Sequence, residues 1–368
     1  MANLLARAFG IGSRDVLSPL ADREHLEAAT WAHLLNLDEE TVRPTRSEAM
    51  SVAAIARGRT LITGAIARLP LVVMNGSTPA PSTPPLVSLP ERGRPRFQTI
   101  TWIVDALLFY GRAWLAVIDR DPASMGARPR QVEWIPDWVA EPLDDGSLRV
   151  GHRLFAPADV IRIDGPHEGL LNFAGDRIRA ARRLDRAALL ASMNPVPQIE
   201  LHQTQGTPLT NEEATAFVAA YVAQRKKSGV SYTNQSIEPR AHGSNSENLL
   251  IDGRKAAALD IARCMGLPAW AVDAPAEGSS MTYTNVPSRA RELIDYTLAP
   301  YMHAITARLS LDDVLPRGTW VRFDTDPLLS EDFAARMTSY KTALETGVYT
   351  LDELRAREHG TPLEETTE

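Results

Sequence analysis

The sequence predicts an α+β protein, in which short antiparallel strands lie between helix-rich portions of the chain. Apolar residues recur at helical spacing over residues 45–69 and again over 287–309, which predicts helices. Between residues 112 and 163, short alternating stretches are separated by turn signals such as Asp144-Asp145-Gly146, which predicts strands. Strands joined in this way, with helices before and after them, are typical of the α+β class.

The composition indicates a folded protein with more than one packed unit. A chain of 368 residues exceeds the size of one ordinary hydrophobic core. Its 44% hydrophobic and 23% charged residues are typical of folded soluble proteins, and no stretch approaches the ~20 apolar residues of a membrane helix. The N-terminal residues lack the cleavage pattern of a signal peptide, so we expect a protein made and used in a reducing cytoplasm.

Charge and cysteine content argue against two classes of function. The net charge of −7 argues against tight, non-specific wrapping of DNA, because that affinity comes from phosphate neutralisation by Lys and Arg. It is compatible with a protein past which DNA slides. The single cysteine, Cys264, excludes an internal disulfide and a cysteine-clustered zinc site. Cys264 lies on the apolar side of a predicted helix, so we expect a buried, inert thiol.

The first predicted elements are a helix and a strand. Thr45 and Glu48 form a capping-box pattern, and the apolar spacing that follows predicts one helix from residue 45 to the stop at Pro70. A strand follows at residues 71–74. The proline-rich residues 75–85 predict a loop without regular structure.

A second helix and a group of strands complete the first half. The helix begins near Ile100 and passes at Gly111 into a strand through Trp114, which we expect to be covered on both faces. Three further strands are predicted, at residues 132–136, 148–150 and 160–163.

The second half is predicted to be mainly helical. Helices are expected at residues 180–190, 211–227, 246–265 and 287–309. Gly266 and Pro268 stop the third of these, and Pro300 must kink the fourth or leave a carbonyl group unpaired. The polar residues 228–245 offer little core, even at Ile237 and Pro239. A strand at residues 320–324 and two helices separated by Gly347 complete the chain, with Thr350 as the cap of the last helix.

No catalytic constellation is evident. The sequence contains no phosphate-binding loop or dinucleotide fingerprint, and no pair of its eight histidines has the spacing of metal ligands on a helix. Ser279 and Ser280 invite a nucleophile interpretation but lack the strand–turn–helix geometry of a nucleophile elbow. Asp324 and Asp326 could hold a metal ion, although carboxylates at a strand end are usually solvated or salt-bridged.

The stretch from Gly266 to Asn285 begins where one helix must stop and ends where another begins. Its residues are mostly small, polar and uncharged, so it could be a substrate lid, a disordered tether or a surface that grips a large partner. A second candidate surface is basic. Arg225, Lys226 and Lys227 could contact a polyanion or a neighbouring subunit, although lysine near a helix C-terminus is also favoured by the helix dipole alone.

Several stretches, in order, resemble phage portal proteins of the HK97 type. They are residues 52–71, the stretch Asp105 to Ile118 with its ALL-x-x-G-x-A pattern, the Asp164-Gly165 turn with Gly169, the Ile261 to Pro268 helix stop, residues 296–300, and residues 347–355. The resemblance covers about residues 45–360, which is nearly the whole chain.

The resemblance implies a portal fold, with an α/β wing, a helical stem, a short clip and a helical crown side. It implies the following boundaries: an N-terminal arm at 1–44, the wing at 45–207, stem helices at 208–227 and 246–266, the clip at 228–245, a tunnel loop at 267–285, a wing return helix and strand at 286–330, and crown-side helices with a tail at 331–368.

The resemblance also implies a function without chemistry of its own. Such subunits form a ring, in that family a dodecamer, at one capsid vertex of the virion, after assembly in the host cytoplasm. Double-stranded DNA passes through the ring, which contacts the major capsid protein and docks the terminase large subunit and a head-tail adaptor. No cofactor, metal or membrane is implied.

Candidate site residues follow from the implied boundaries. The tunnel loop carries Glu277, Ser279, Ser280, Met281, Thr282 and Tyr283. The clip carries Tyr232, Asn234 and Gln235 as docking candidates. Two alternatives stay open on the sequence: another head-assembly or connector protein, and a hydrolase or transferase that uses Ser279, Ser280 or the Asp324/Asp326 pair.

Overall fold

The structure, a computed structural model, describes residues 43–122, 126–193, 198–228, 237–242, 250–272, 286–329 and 333–359. Contacts between residues divide the chain into two units. The first comprises residues 1–179 and 258–368, and the second comprises residues 180–257. None of the helices in the described ranges is long and apolar enough to cross a bilayer.

The helices of the N-terminal half alternate with strands. They are α1 (Arg46–Met50), α2 (Ala53–Ala67), α3 (Pro85–Ser88), α4 (Arg96–Tyr110), α5 (Leu170–Phe173) and α6 (Gly175–Met193). The C-terminal half adds α7 (Asn211–Ser228), α8 (Ile251–Cys264), α9 (Val286–Glu292), α10 (Ala299–Leu309), α11 (Asp326–Leu329), α12 (Phe333–Glu345) and α13 (Leu351–His359). A π-helical segment, Leu293–Leu298, joins α9 to α10.

The strands of the first unit form three small antiparallel sheets, as predicted. They are β1 (Leu71–Asn75), β2 (Thr78–Pro79), β3 (Arg112–Arg120), β4 (Pro129–Ile135), β5 (Ala140–Pro142), β6 (Leu148–Val150), β7 (Arg153–Phe155), β8 (Val160–Asp164) and, near the C-terminus, β11 (Thr319–Phe323). The strand orders are β11-β1-β2, β4-β3-β8 and β5-β6-β7.

The core of the first unit is centred on α4 and the strand that follows it. Eleven residues of α4 are buried, and Gly111 ends the helix in the left-handed conformation with a φ of 75°. The chain then enters β3, whose residues from Ala113 to Val117 are buried on both faces, as the sequence predicts. On β4, the fully buried Trp134 contacts Trp102 of α4, with 5.1 Å between ring centroids.

In the second unit, two strands and a capped helix can be assigned. Strands β9 (Gln198–Gln203) and β10 (Ile237–His242) pair antiparallel over six residues. Helix α7 begins at a capping box, in which the Thr210 backbone N–H donates to the Glu213 carboxylate and the Glu213 N–H donates to the Thr210 hydroxyl. This carboxylate accepts both Thr210 groups, which lowers the pKa of Glu213.

Three local predictions are wrong in detail. The helix expected from residue 45 is divided into α1 and α2, because the Ser51 hydroxyl donates to the Glu48 carbonyl and Val52 is extended. The proline-rich loop contains the short strand β2, which pairs with β1 through a turn at Gly76. Ile237, expected to offer little core, is buried in β10.

Candidate functional site

Most of the site residues expected from the sequence lie outside the described residues. The loop candidates Glu277, Ser279, Ser280, Met281, Thr282 and Tyr283 fall within residues 273–285, and Tyr232, Asn234 and Gln235 fall within 229–236. Arg225, Lys226 and Lys227 are located in the last turns of α7. The described residues closest in sequence to this loop are the segment that ends at Val272 and the helix that begins at Val286.

The segment before this loop is fixed by a Schellman turn at the end of α8. Gly266 adopts a φ of 64° and donates its N–H to the Arg263 carbonyl at 3.1 Å. The Leu267 N–H donates to the Ala262 carbonyl at 2.8 Å, which completes the two-bond pattern. The sequence predicted this helix stop, and the turn sends the chain into a short 3₁₀ segment, Ala269–Val272.

The residues on either side of this turn pack tightly against α2. Met265 and Leu267 are buried, and Gly58 of α2 faces both of them. A β-carbon placed on Gly58 would lie 2.6 Å from Leu267 Cδ1 and 2.7 Å from Met265 Cε. These distances are shorter than normal contacts, so the absence of a side chain at Gly58 allows Met265 and Leu267 to approach α2 closely.

The two ends of the loop contact each other through side chains. Trp270, in the 3₁₀ segment that precedes residues 273–285, donates its indole N–H to the Glu292 carboxylate at 3.3 Å. The Arg289 guanidinium lies over the Trp270 ring, 6.0 Å from its centroid. Because Arg289 and Glu292 both belong to α9, the segment that ends at Val272 and the helix that begins at Val286 lie beside one another.

A second connection between the two ends has a buried donor, Thr297. The Thr297 hydroxyl donates to the Gly266 carbonyl at 2.5 Å, although the two residues are 31 positions apart. Thr297 belongs to the π-helical segment, which precedes the Pro300 that the sequence predicted would disturb this helix. Proline lacks an N–H group and cannot continue the α-helical hydrogen bonding of the preceding turn, which accounts for the departure from α-helix here.

The turn after β8 packs closely against the end of α4, and three glycines make this contact possible. A β-carbon on Gly169, where φ is 94°, would lie 2.4 Å from the Tyr110 carbonyl carbon. Gly165 donates its N–H to the Gly111 carbonyl at 2.7 Å. A β-carbon on Gly111 would in turn lie 2.5 Å from the His167 carbonyl oxygen. Main-chain atoms on both sides leave no room for side chains, which explains the glycines of the Asp164–Gly169 turn.

His167 connects this turn to α10. Its Nδ1 accepts the Gly169 N–H at 3.0 Å, so the ring proton of the neutral form lies on Nε2, which is 2.7 Å from the Tyr301 hydroxyl. Burial lowers the pKa of His167, while the neighbouring Glu168 opposes this shift, and burial raises the pKa of Tyr301. Both groups are therefore neutral at pH 7 and stabilise the contact between β8 and α10 as a hydrogen bond.

A buried ion cluster joins α1, α2 and α4. Asp105 is 1% exposed and accepts hydrogen bonds from Arg46 at 2.9 Å and from Arg59 at 2.6 Å. The Arg46 guanidinium also lies over the Phe109 ring, 5.1 Å from its centroid. The Asp105 carboxylate of α4 thus contacts one arginine of α1 and one of α2, and it holds α2 against α4.

Among the candidates for chemistry, Asp324, Asp326 and Cys264 lie in the described residues. Asp324 accepts the Asp326 N–H at 3.2 Å in an Asx turn just before the short helix α11, which is a structural role for the first carboxylate of that pair. Among the described residues, no group of three or more His, Cys, Asp or Glu side chains could hold a metal ion. Cys264 is half-buried rather than fully buried, and burial raises the pKa of its thiol, which disfavours the reactive thiolate.

A polar cavity of about 450 Å³ opens beside the three glycines. Arg112 and Arg162 line it, but each already contacts a carboxylate: Arg112 contacts Asp137 and Arg162 contacts Asp164, both at 2.7 Å. These two contacts neutralise the charges of Arg112 and Arg162 locally.

The comparisons with known proteins agree with this architecture. Residues 53–359 match the model of the phage portal protein family. The chain is 25% identical over 361 residues to a probable portal protein of Streptomyces phage phiC31, with 88% of this chain and 77% of that protein covered.

Two solved structures share the fold. A crystal structure of an HK97-family phage portal protein from Corynebacterium diphtheriae is 32% identical, with a TM-score of 0.63, and the match covers 78% of this chain and 97% of that one. A subunit in the neck of a native gene transfer agent particle, computed with C12 symmetry, is 16% identical with a TM-score of 0.59, and the match covers 98% of both chains. With most of its length matching the family model and its fold matching an HK97-family member, this chain belongs to the phage portal protein family.

Proposed function

We propose that this chain is the subunit of a portal ring at one capsid vertex, and that the ring is the channel for genome packaging and ejection. The observation that carries the proposal is the family match over residues 53–359, together with a loop whose two ends are tied to each other. A closed ring needs head-to-tail interfaces, in which two different surfaces of one subunit meet. We expect twelve subunits, the number implied by the family resemblance, which is compatible with the C12 symmetry of the gene transfer agent neck whose subunit shares this fold.

The regions implied by the resemblance remain our proposal, with one refinement. The contact division at residue 180 and the pairing of β9 with β10 support starting the stem-and-clip unit near Ala180 rather than at 208. In this assignment α7 and α8 are stem helices and β10 belongs to the clip. The clip is the surface that we expect to dock the terminase large subunit and later a head-tail adaptor, with Tyr232, Asn234 and Gln235 as candidates.

Residues 267–285 are proposed as the tunnel loop, which projects into the channel beside double-stranded DNA. A net charge of −7 suits a channel through which DNA slides, because each added phosphate contact would raise the barrier to movement. We infer that the ring performs no chemistry of its own, that a separate terminase hydrolyses ATP, and that the major capsid protein surrounds the ring in the virion.

The assembly state tests the proposed function directly. Purified protein imaged by electron microscopy and weighed by native mass spectrometry should form closed rings, with twelve copies as the expected number. The physical reason is that heterologous interfaces close when the rotation between neighbours divides a full turn. A protein that stays monomeric or dimeric under all conditions of salt and concentration would contradict the proposal.

The loop itself has a separate test. Shortening residues 274–284 should leave ring assembly intact, because the described contacts of both loop ends lie outside the deleted stretch. It should reduce the amount of DNA packaged or retained per particle, measured as nuclease-protected DNA in a packaging reaction. Normal packaging by this variant would contradict the tunnel-loop assignment while leaving the ring proposal in place.

A further inference from the structure

The hydrogen bond between Thr297 and Gly266 connects the two described segments on either side of residues 273–285. We propose that Thr297 is a positioning residue, which sets the spacing of the two loop ends through its hydrogen bond to the Gly266 carbonyl. The structural part of this inference stands on the described residues. Its consequence for DNA rests on the proposed role of residues 267–285 as the tunnel loop.

The direction of the Thr297 hydroxyl is unusual for a helical threonine. Threonine in a helix commonly donates to the carbonyl four residues earlier on its own helix. Thr306, one element further along, does this, with its hydroxyl 2.9 Å from the Met302 carbonyl. Thr297 donates instead to a carbonyl 31 residues earlier, and its side chain is 2% exposed. Its hydroxyl therefore links two segments that the chain itself joins only through the loop.

The π-helical segment and Gly266 make this approach possible. A π-helical turn widens the helix and changes the direction of the side chains that follow. Thr297 is buried within this segment, while its neighbour Tyr296 is 77% exposed. The Tyr296 carbonyl lies 3.9 Å from where a β-carbon on Gly266 would stand, so the two main chains run close together. The π-helical segment thus places the Thr297 hydroxyl beside the Gly266 turn.

The Thr297 bond is the better protected of the two connections. The Trp270–Glu292 bond is longer, at 3.3 Å, and is exposed to solvent, where water competes for both groups. The donor of the Thr297–Gly266 bond lies on a side chain that is 2% exposed, although Gly266 itself is exposed, so water competes less readily for the Thr297 hydroxyl. The Gly266 turn also carries the Leu267 N–H bond that ends α8, so movement of Gly266 would disturb the start of the loop.

Hydrogen exchange on the assembled ring tests the positioning role. Thr297→Val keeps the shape of the side chain and removes the hydroxyl. It should accelerate exchange of the Leu267 and Ala271 amides by about tenfold, because these amides close the turn and the 3₁₀ segment that Gly266 holds. Thr306→Val is the matched control, since it removes a buried hydroxyl that bonds only within its own helix. Thr297→Ser keeps the donor and should restore slow exchange.

The outcomes separate this inference from the proposed function. Unchanged exchange in T297V, or equal acceleration in T306V, would overturn the positioning role. Acceleration confined to T297V supports it, and the same rings should then retain less packaged DNA than wild-type or T297S rings. If exchange accelerates but DNA retention is normal in both T297V and the loop-shortened variant, Thr297 positions the loop as inferred and the tunnel role of the loop is wrong.

Discussion

Replacing Asp105 with asparagine should lower the free energy of unfolding by about 3–5 kcal/mol, which is the range for breaking a buried ion pair by removing one partner. The carboxylate is 1% exposed and contacts both Arg46 and Arg59. Asparagine has nearly the same volume but carries no charge, so the buried Arg46 guanidinium and the partly buried Arg59 guanidinium would lose the anion that they share. Urea denaturation followed by circular dichroism measures the effect, at one fixed protein concentration because assembly adds to stability.

A surface pair provides the control for this experiment. Asp312 contacts Arg317 at 2.9 Å, but the two side chains are 57% and 88% exposed. Water screens such a pair, so Asp312→Asn should cost less than about 1 kcal/mol. Equal losses in both variants would show that burial of the Asp105 cluster does not decide its contribution, and our account of how α1, α2 and α4 are joined would be wrong.

Replacing Gly169 with alanine should cost at least about 3 kcal/mol, because backbone strain and steric overlap add. The new β-carbon would lie 2.4 Å from the Tyr110 carbonyl carbon and 2.6 Å from the Gly111 nitrogen. These are main-chain atoms of a buried helix end, which cannot move aside as a flexible side chain could. Urea denaturation and the soluble fraction after expression would both report the loss.

Gly318 separates the two contributions. Its φ of 86° is close to that of Gly169, but no atom lies within 4 Å of a β-carbon placed there. Gly318→Ala should therefore show the backbone cost alone, about 1–2 kcal/mol. If both substitutions cost the same, the close contact between the β8–α5 turn and the end of α4 contributes nothing, and the packing argument for Gly169 fails.

Local elements of this fold follow from residues close together in the sequence. The Thr45–Glu48 capping box, the left-handed Gly111 and the Gly266 helix stop all appear where the sequence predicts them. Each depends on a hydrogen-bond pattern or a φ value that a few neighbouring residues decide. The divided helix at Ser51 was missed because a serine hydroxyl bonding to a local carbonyl competes with helix without changing the apolar spacing.

The candidate site was predicted only in part. The sequence predicted a helix stop at Gly266 before the loop and a disturbed helix at Pro300 after it. It carried no signal for the partners that hold those ends, since Trp270 and Glu292, or Gly266 and Thr297, are separated by 22 and 31 positions. A signal that could have pointed to the junction was Pro300, because the carbonyl groups before a proline in a helix must find other partners.

The α+β class, the order of helices and strands, and membership of the portal family could all be predicted from the amino-acid sequence, because they depend on local patterns along the whole chain. Three features depend on packing between distant residues: the contact of Asp105 with two arginines, the close approach of Leu267 and Met265 to Gly58, and the direction of the Thr297 hydroxyl. Those features join residues that are distant in the chain, and their energies depend on burial and close contact, which exist only after the elements have packed.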